Sequence, residues 1–218
     1  MKGFLVKDYR QLIVQKNLLI ILPIGLLFLF TNETPVMGIS YTLYVITFLS
    51  NSLMAYDSFD NGMPFLMTLP GGRKNYVTAK YLFNGINSTV TMIFLLFVSS
   101  ILEISRGKGI EALKELVIGT LLLYAVALMF SAVMLPVQLK YGQEKSRIVL
   151  MILFGIIFLG SMGIGKALEA LNPDTAVIFE MLNRLSVAGI VAGVLALAVL
   201  ITLLSFLISQ NIMRKKNF

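Results

Sequence analysis

"VAGIVAGVLALAVLITLLSFLIS", Val187 to Ser209, holds no charged side chain anywhere along it. About 20 apolar residues wound as a helix cross the roughly 30 Å hydrocarbon core of a bilayer, and this run exceeds that length. A helix on a soluble core would carry charged side chains along its outer face, and this run has none. Five more uncharged stretches follow the same pattern. The expected spans are 17–32, 36–56, 82–102, 116–139, 148–165 and 187–209, which makes the whole chain, 1–218, one all-α membrane domain.

Composition agrees. Of 218 residues 57% are hydrophobic and 13% charged, against roughly 25% charged in soluble domains. Neither Cys nor His occurs, so disulfides, thiolate or imidazole metal ligands and an imidazole base are excluded. The net charge of +7 does not point to nucleic acid, because the cations punctuate apolar runs and do not share one solvated face.

The first span is the weakest, with Pro23 and Gly25 inside it, and Lys16 would snorkel to the headgroups. A signal peptide is the rival reading. Lys2, Lys7, Arg10 and Lys16 would be its basic region, but no A-x-A-like site follows before the next span. Alternate connections divide the Lys and Arg residues thirteen to five, which predicts both termini in the cytoplasm of a cell-membrane protein. Arg106, Lys108 and Lys114 in the third connection run against that count.

Several motifs carry less than they suggest. "GSMGIGKA", Gly160 to Ala167, fits the phosphate-loop spacing, but Ala167 stands where a Ser or Thr hydroxyl must reach magnesium, and no strand precedes it. Gly189 and Gly193 form a G-x-x-x-G pair suited to close helix packing, within the chain or against a second copy. The spans hold no ionisable side chain away from their ends, and Asn51, Asn84, Asn87 and Gln138 are expected to bond a neighbour or interfacial water. Ion coupling therefore lacks its residues. Ser99 and Ser100 lack the base that an intramembrane protease would need.

At the other extreme of polarity lies the N-terminal "MKGFLVKDYRQLIVQK". It places Met1, Leu5, Tyr9 and Leu12 at helical spacing, which predicts an amphipathic interfacial helix with Lys2, Lys7 and Arg10 toward anionic membrane lipid; extension of the first span is the alternative. In "AYDSFDNGMPFLMTLPGGRKNYVTAKY", Asn61 and Pro64 suit a helix start and Pro70 with Gly71 and Gly72 a stop. Phe65, Leu66, Met67 and Leu69 would thus sit on one or two turns, too short for the bilayer and in need of another apolar surface.

The segments "MKGFLVKDYRQL", "FLMTLPGGRKNYVTAKYL" and "LPVQLKYGQEKSR", with the six-span pattern, resemble permease subunits of type-2 ABC transporters. The likeness is to the small six-span bacterial peptide-exporter group that includes phenol-soluble modulin transporter permeases. Gly72 departs from the Ser more usual there. The resemblance implies a subunit with no ATPase site of its own, paired with a second, identical or homologous permease and with ABC ATP-binding subunits that hold ATP and magnesium. It makes the segment between spans two and three a coupling helix. Phe65, Leu66, Met67 and Leu69 would then dock in the ATPase, Arg73 and Lys74 would flank them, and Lys140, Tyr141, Glu144, Lys145 and Arg147 would form a second cytoplasmic contact. The outer connection around Asn172-Pro173-Asp174 would cap the path with short helices. A membrane scaffold or immunity-type protein that binds a partner without transport is the alternative.

Overall fold

The computed structural model describes residues 2–31, 35–58, 62–68, 72–171 and 186–216, without the side chains of 16–22, 58, 143–144, 153–154 and 157–171. Every regular element among them is an α-helix: α1 (Lys2–Val14), α2 (Lys16–Thr31), α3 (Val36–Ser58), α4 (Gly62–Thr68), α5 (Gly72–Ser105), α6 (Ile110–Leu171) and α7 (Val187–Lys215). Four stretches are long and apolar enough to cross a membrane, namely Val36–Asp57, Gly72–Ser105, Ile110–Gly142 and Val187–Lys215. These take in the second, third, fourth and sixth expected spans. The first expected span lies in α2, of 16 residues, and the fifth in the second arm of α6, most of whose side chains are outside the description. The outer connection is outside it too, from 172 to 185.

Packing is pairwise and dense at the centre. α3 lies against α2, α5 and α6, α7 against α6 and α5, and α1 across α5 and α3. α2 and α3 approach closely because glycine stands at two crossing points: a Cβ on Gly25 would fall 2.0 Å from Thr42 Oγ1, and one on Gly38 would fall 2.6 Å from Leu29. Small residues let helices meet where apolar burial supplies no driving force in lipid. Gly189 and Gly193, for which helix packing was expected, are exposed, and nothing described lies within 4 Å of a Cβ built on Gly193.

Two helix ends depart from sequence expectation. α5 begins at Gly72, ten residues before the predicted span, and its 34 residues extend roughly 51 Å at 1.5 Å each, well beyond a bilayer core. Its far end closes on Gly107 at φ 71°, where Lys108 N donates to Glu103 O at 3.1 Å and Gly107 N to Ile104 O at 3.0 Å, a Schellman stop. Just before it, Arg106 Nη2 donates to the last carbonyls of α2, Phe30 at 3.0 Å and Leu29 at 3.3 Å. The cation thereby sits at the negative end of the α2 dipole. Buried Glu103 holds Lys108 at 3.0 Å and Arg106 at 3.5 Å, so this third-connection charge is partly internal to the protein.

The expected fourth connection is reduced to a break within α6, where two helical arms meet across a kink at Gly142, with φ 77° and ψ 174°. That conformation is essentially restricted to glycine. Gly142→Ala is expected to lower the stability of the purified protein by about 1–3 kcal/mol, while Gly119→Ala in the same helix, where nothing lies within 4 Å, should raise it by about 0.5–1 kcal/mol. Thermal unfolding in detergent reads both signs.

Candidate functional site

Where α1 crosses α3 and α5, four charges meet, three of them buried and Lys7 half-buried. α1 turns Phe4, Asp8 and Leu12 inward at spacings of four; the expected stripe of Met1, Leu5, Tyr9 and Leu12 shares only Leu12 with that buried set, and Met1 is outside the described residues. The shift of face has a cause. Asp8 is drawn in by Lys80, whose Nζ lies 2.8 Å from Asp8 Oδ1 and 2.9 Å from Asp57 Oδ2. Lys7 Nζ completes the group by pairing with Asp57 Oδ1 and standing 3.5 Å from Asp8.

Asp8, Asp57 and Lys80 are each at most 3% exposed, and two carboxylates against two ammonium groups leave the cluster without net formal charge. Balance is what permits burial, because an isolated ion here would cost several kcal/mol in lost hydration. Asp57 lies at the C-terminal end of α3, where the helix dipole disfavours a carboxylate. The two lysines offset that penalty. Tyr76, one turn before Lys80 on the same face of α5, donates its hydroxyl to Asp57 Oδ2 at 2.8 Å. Its ring lies 5.3 Å from Lys80 Nζ and meets Phe4 edge-on at 5.9 Å.

The cluster escaped the sequence reading because Lys80 was counted among loop cations. Its sign was the four-residue spacing of Tyr76 and Lys80, which on a helix starting at Gly72 sets both on one face. Arg73 and Lys74, in the first turn of α5, are exposed. Lys80 lies just before the apolar run of α5, so the middle of the span remains free of charge, as expected.

Directly beside the cluster sits α4, against α3 and α5. Met63, Leu66 and Met67 pack on the apolar group of Phe4, Met54, Tyr76, Val77, Leu135, Leu139 and Met213. Phe65 points away and is 68% exposed. Leu69 is outside the described residues. Gly72 is needed for this seating, since a Cβ there would lie 2.9 Å from the carbonyl oxygens of Leu66 and Met67. The four apolar residues grouped by sequence therefore divide in the fold, with Leu66 and Met67 half-buried and Phe65 outward.

Near the Gly142 break, Lys140 and Tyr141 are exposed, with Lys140 Nζ 5.1 Å from the Tyr141 ring. Lys145 and Arg147 are exposed as well, and the Glu144 side chain is outside the description. The end of α7 is clamped here: Lys216 Nζ donates to Leu139 O at 2.7 Å, and partial burial lowers the pKa of that amine. Farther along the bundle, Asn51 bonds Ser131 across helices at 3.1 Å and Asn87 bonds Ser50. Asn84 and Gln138 instead reach within their own helices, to Lys80 O at 3.3 Å and Met134 Sδ at 3.9 Å.

Residues 4–214 match a family model described as ABC-2 family transporter protein. No curated protein and no solved structure matches the chain. The matched region contains every member of the charge cluster.

Lys80→Met would leave Asp8 and Asp57 facing each other with only Lys7 beside them. Stability should fall by about 3–5 kcal/mol. Combining Asp8→Asn with Lys80→Met should cost less than the two single losses added, since the partners are in contact; strict additivity in thermal unfolding would refute the pairing.

Proposed function

Because the chain belongs to the ABC-2 transporter family, we propose that it is the membrane-spanning permease subunit of an ATP-driven exporter. The path it forms would carry an amphipathic or hydrophobic substrate, a peptide in the first instance, as in the small six-span bacterial peptide exporters it resembles. ATP and magnesium belong to separate ATP-binding subunits, and a second permease, identical or homologous, completes the pore. The exposed Gly189 and Gly193 supply small residues for contact with that second permease. In this reading six spans cross the membrane and both termini lie in the cytoplasm, which the distribution of Lys and Arg supports.

One observation carries the coupling role: α4 presents Phe65 outward while Leu66 and Met67 seat it on the bundle. A rigid peg of this kind passes motion on, where a free loop would absorb it. Asp57 and Lys80 flank α4 in the sequence and are bonded to each other, so a push on Phe65 reaches α3, α5 and, through Asp8, α1 as one body. In this reading Phe65, and Leu69 beyond it, enter the ATPase, with Leu66 and Met67 bracing them and Arg73 and Lys74 alongside. Lys140, Tyr141, Glu144, Lys145 and Arg147 make the second contact at the break in α6.

Burial of one phenyl ring contributes about 1.5–3 kcal/mol. Phe65→Asp is therefore expected to reduce recovery of the host ATP-binding subunit in co-purification by roughly tenfold or more, without lowering the melting temperature of the permease. An intact complex and intact export in that variant would overturn the docking role. Full function in a host lacking any ATP-binding partner would favour the scaffold reading.

A further inference from the structure

Arg73, Lys74, Gln210 and Arg214 line a cavity of about 350 Å³ where the first turn of α5 meets the last turns of α7. Among the described residues, no carboxylate lines it. Arg73 Nη1 donates to Arg214 O at 2.9 Å, which ties the two helix ends together and gathers three cationic side chains around one space. Three cationic side chains around one space favour an anion there.

A second observation says what kind of anion. Counting back from Arg214 in steps of four, three, four and three gives Gln210, Leu207, Leu203 and Leu200, all on one face of α7. The three leucines are 61%, 60% and 55% exposed. On α7, the face that lines the cavity with Gln210 and Arg214 thus continues into an apolar stripe along a membrane-crossing helix.

From this juxtaposition we infer that the cavity is a phosphate site, filled by the headgroup of an anionic phospholipid. Its acyl chain lies along Leu207, Leu203 and Leu200. Guanidinium groups match phosphate oxygens through paired N–H donors, Lys74 adds a point charge, and the Gln210 amide is placed to bond glycerol or headgroup oxygens. A volume of about 350 Å³ accommodates a phosphate with its glycerol. This assignment does not depend on the transport reading, although it uses two cations that flank the proposed ATPase contact.

The test uses the full chain purified in detergent, with native mass spectrometry after addition of phosphatidylglycerol, of phosphatidylcholine with the same acyl chains, or of inorganic phosphate. Wild type should retain phosphatidylglycerol in preference to phosphatidylcholine, and millimolar inorganic phosphate should not displace it. Lys74→Gln with Arg214→Gln should weaken retention roughly 25-fold, about fivefold for each cation. Lys114→Glu, which changes the net charge by the same two units at an exposed site elsewhere, should change it less than about twofold. Circular dichroism melting confirms that both variants remain folded. Equal retention of both lipids, or equal loss in the two variants, overturns the site. Displacement by inorganic phosphate overturns the lipid source. Unchanged lipid retention with loss of the ATP-binding subunit assigns these cations to the protein partner and overturns the proposal.

Discussion

The Lys80 ammonium, held between Asp8 and Asp57, is the constraint around which one end of this bundle is arranged. A buried ion that loses its hydration must recover it from fixed partners, and any slip of α1, α3 or α5 would strand a charge. Apolar packing in lipid has no comparable selectivity, because a leucine is equally content against a neighbour or an acyl tail. Phe4, Tyr76 and Val77 pack well in the observed register, yet it is the ion pairs that make other registers expensive. The orientation of α1, the seating of α4 and the tie between the two sides of the α4 segment follow from that.

The opposite end of α5 uses the same device in a milder form. Buried Glu103 gathers Arg106 and Lys108, and Arg106 reaches over to the last carbonyls of α2. Between these two ends the helices are linked by scattered single hydrogen bonds such as Asn51 to Ser131 and Thr89 to Tyr124, each worth only about 0.6 kcal/mol in a membrane interior. Strong ties at the ends and weak ones in the middle suit rigid-body displacement of whole helices. In the proposed transport reading, α5, tied at both ends and longer than the bilayer is thick, would be the lever.

Much of the fold was legible in the residues. Absence of charge over long runs is a statement about solvent, and four of the expected spans coincide with helices long and apolar enough to cross a membrane. The short peg bounded by Pro and Gly was also visible, since Gly62 to Thr68 forms a helix of its own. Less legible were the helix ends. Apolarity marks where a span enters lipid, whereas helical hydrogen bonding continues through Gly72 to Tyr81 without regard to lipid. Reading the span from Leu82 placed Lys80 in a loop, and the connection expected after Leu139 is drawn in to a kink at Gly142.

Sequence alone determined that this chain is helical, that it belongs in a bilayer and that its long apolar runs hold no Asp, Glu, Lys or Arg, because these follow from composition and local periodicity. It also held the matching charges Asp8, Asp57 and Lys80, separated by 49 and 23 positions. Only the tertiary structure decided that they meet, that α1 turns Phe4 and Asp8 inward, and that Phe65 parts company with Leu66 and Met67. The physical reason is that pairing energy depends on distance in space, and local sequence periodicity does not report which distant helices will be brought within 3 Å.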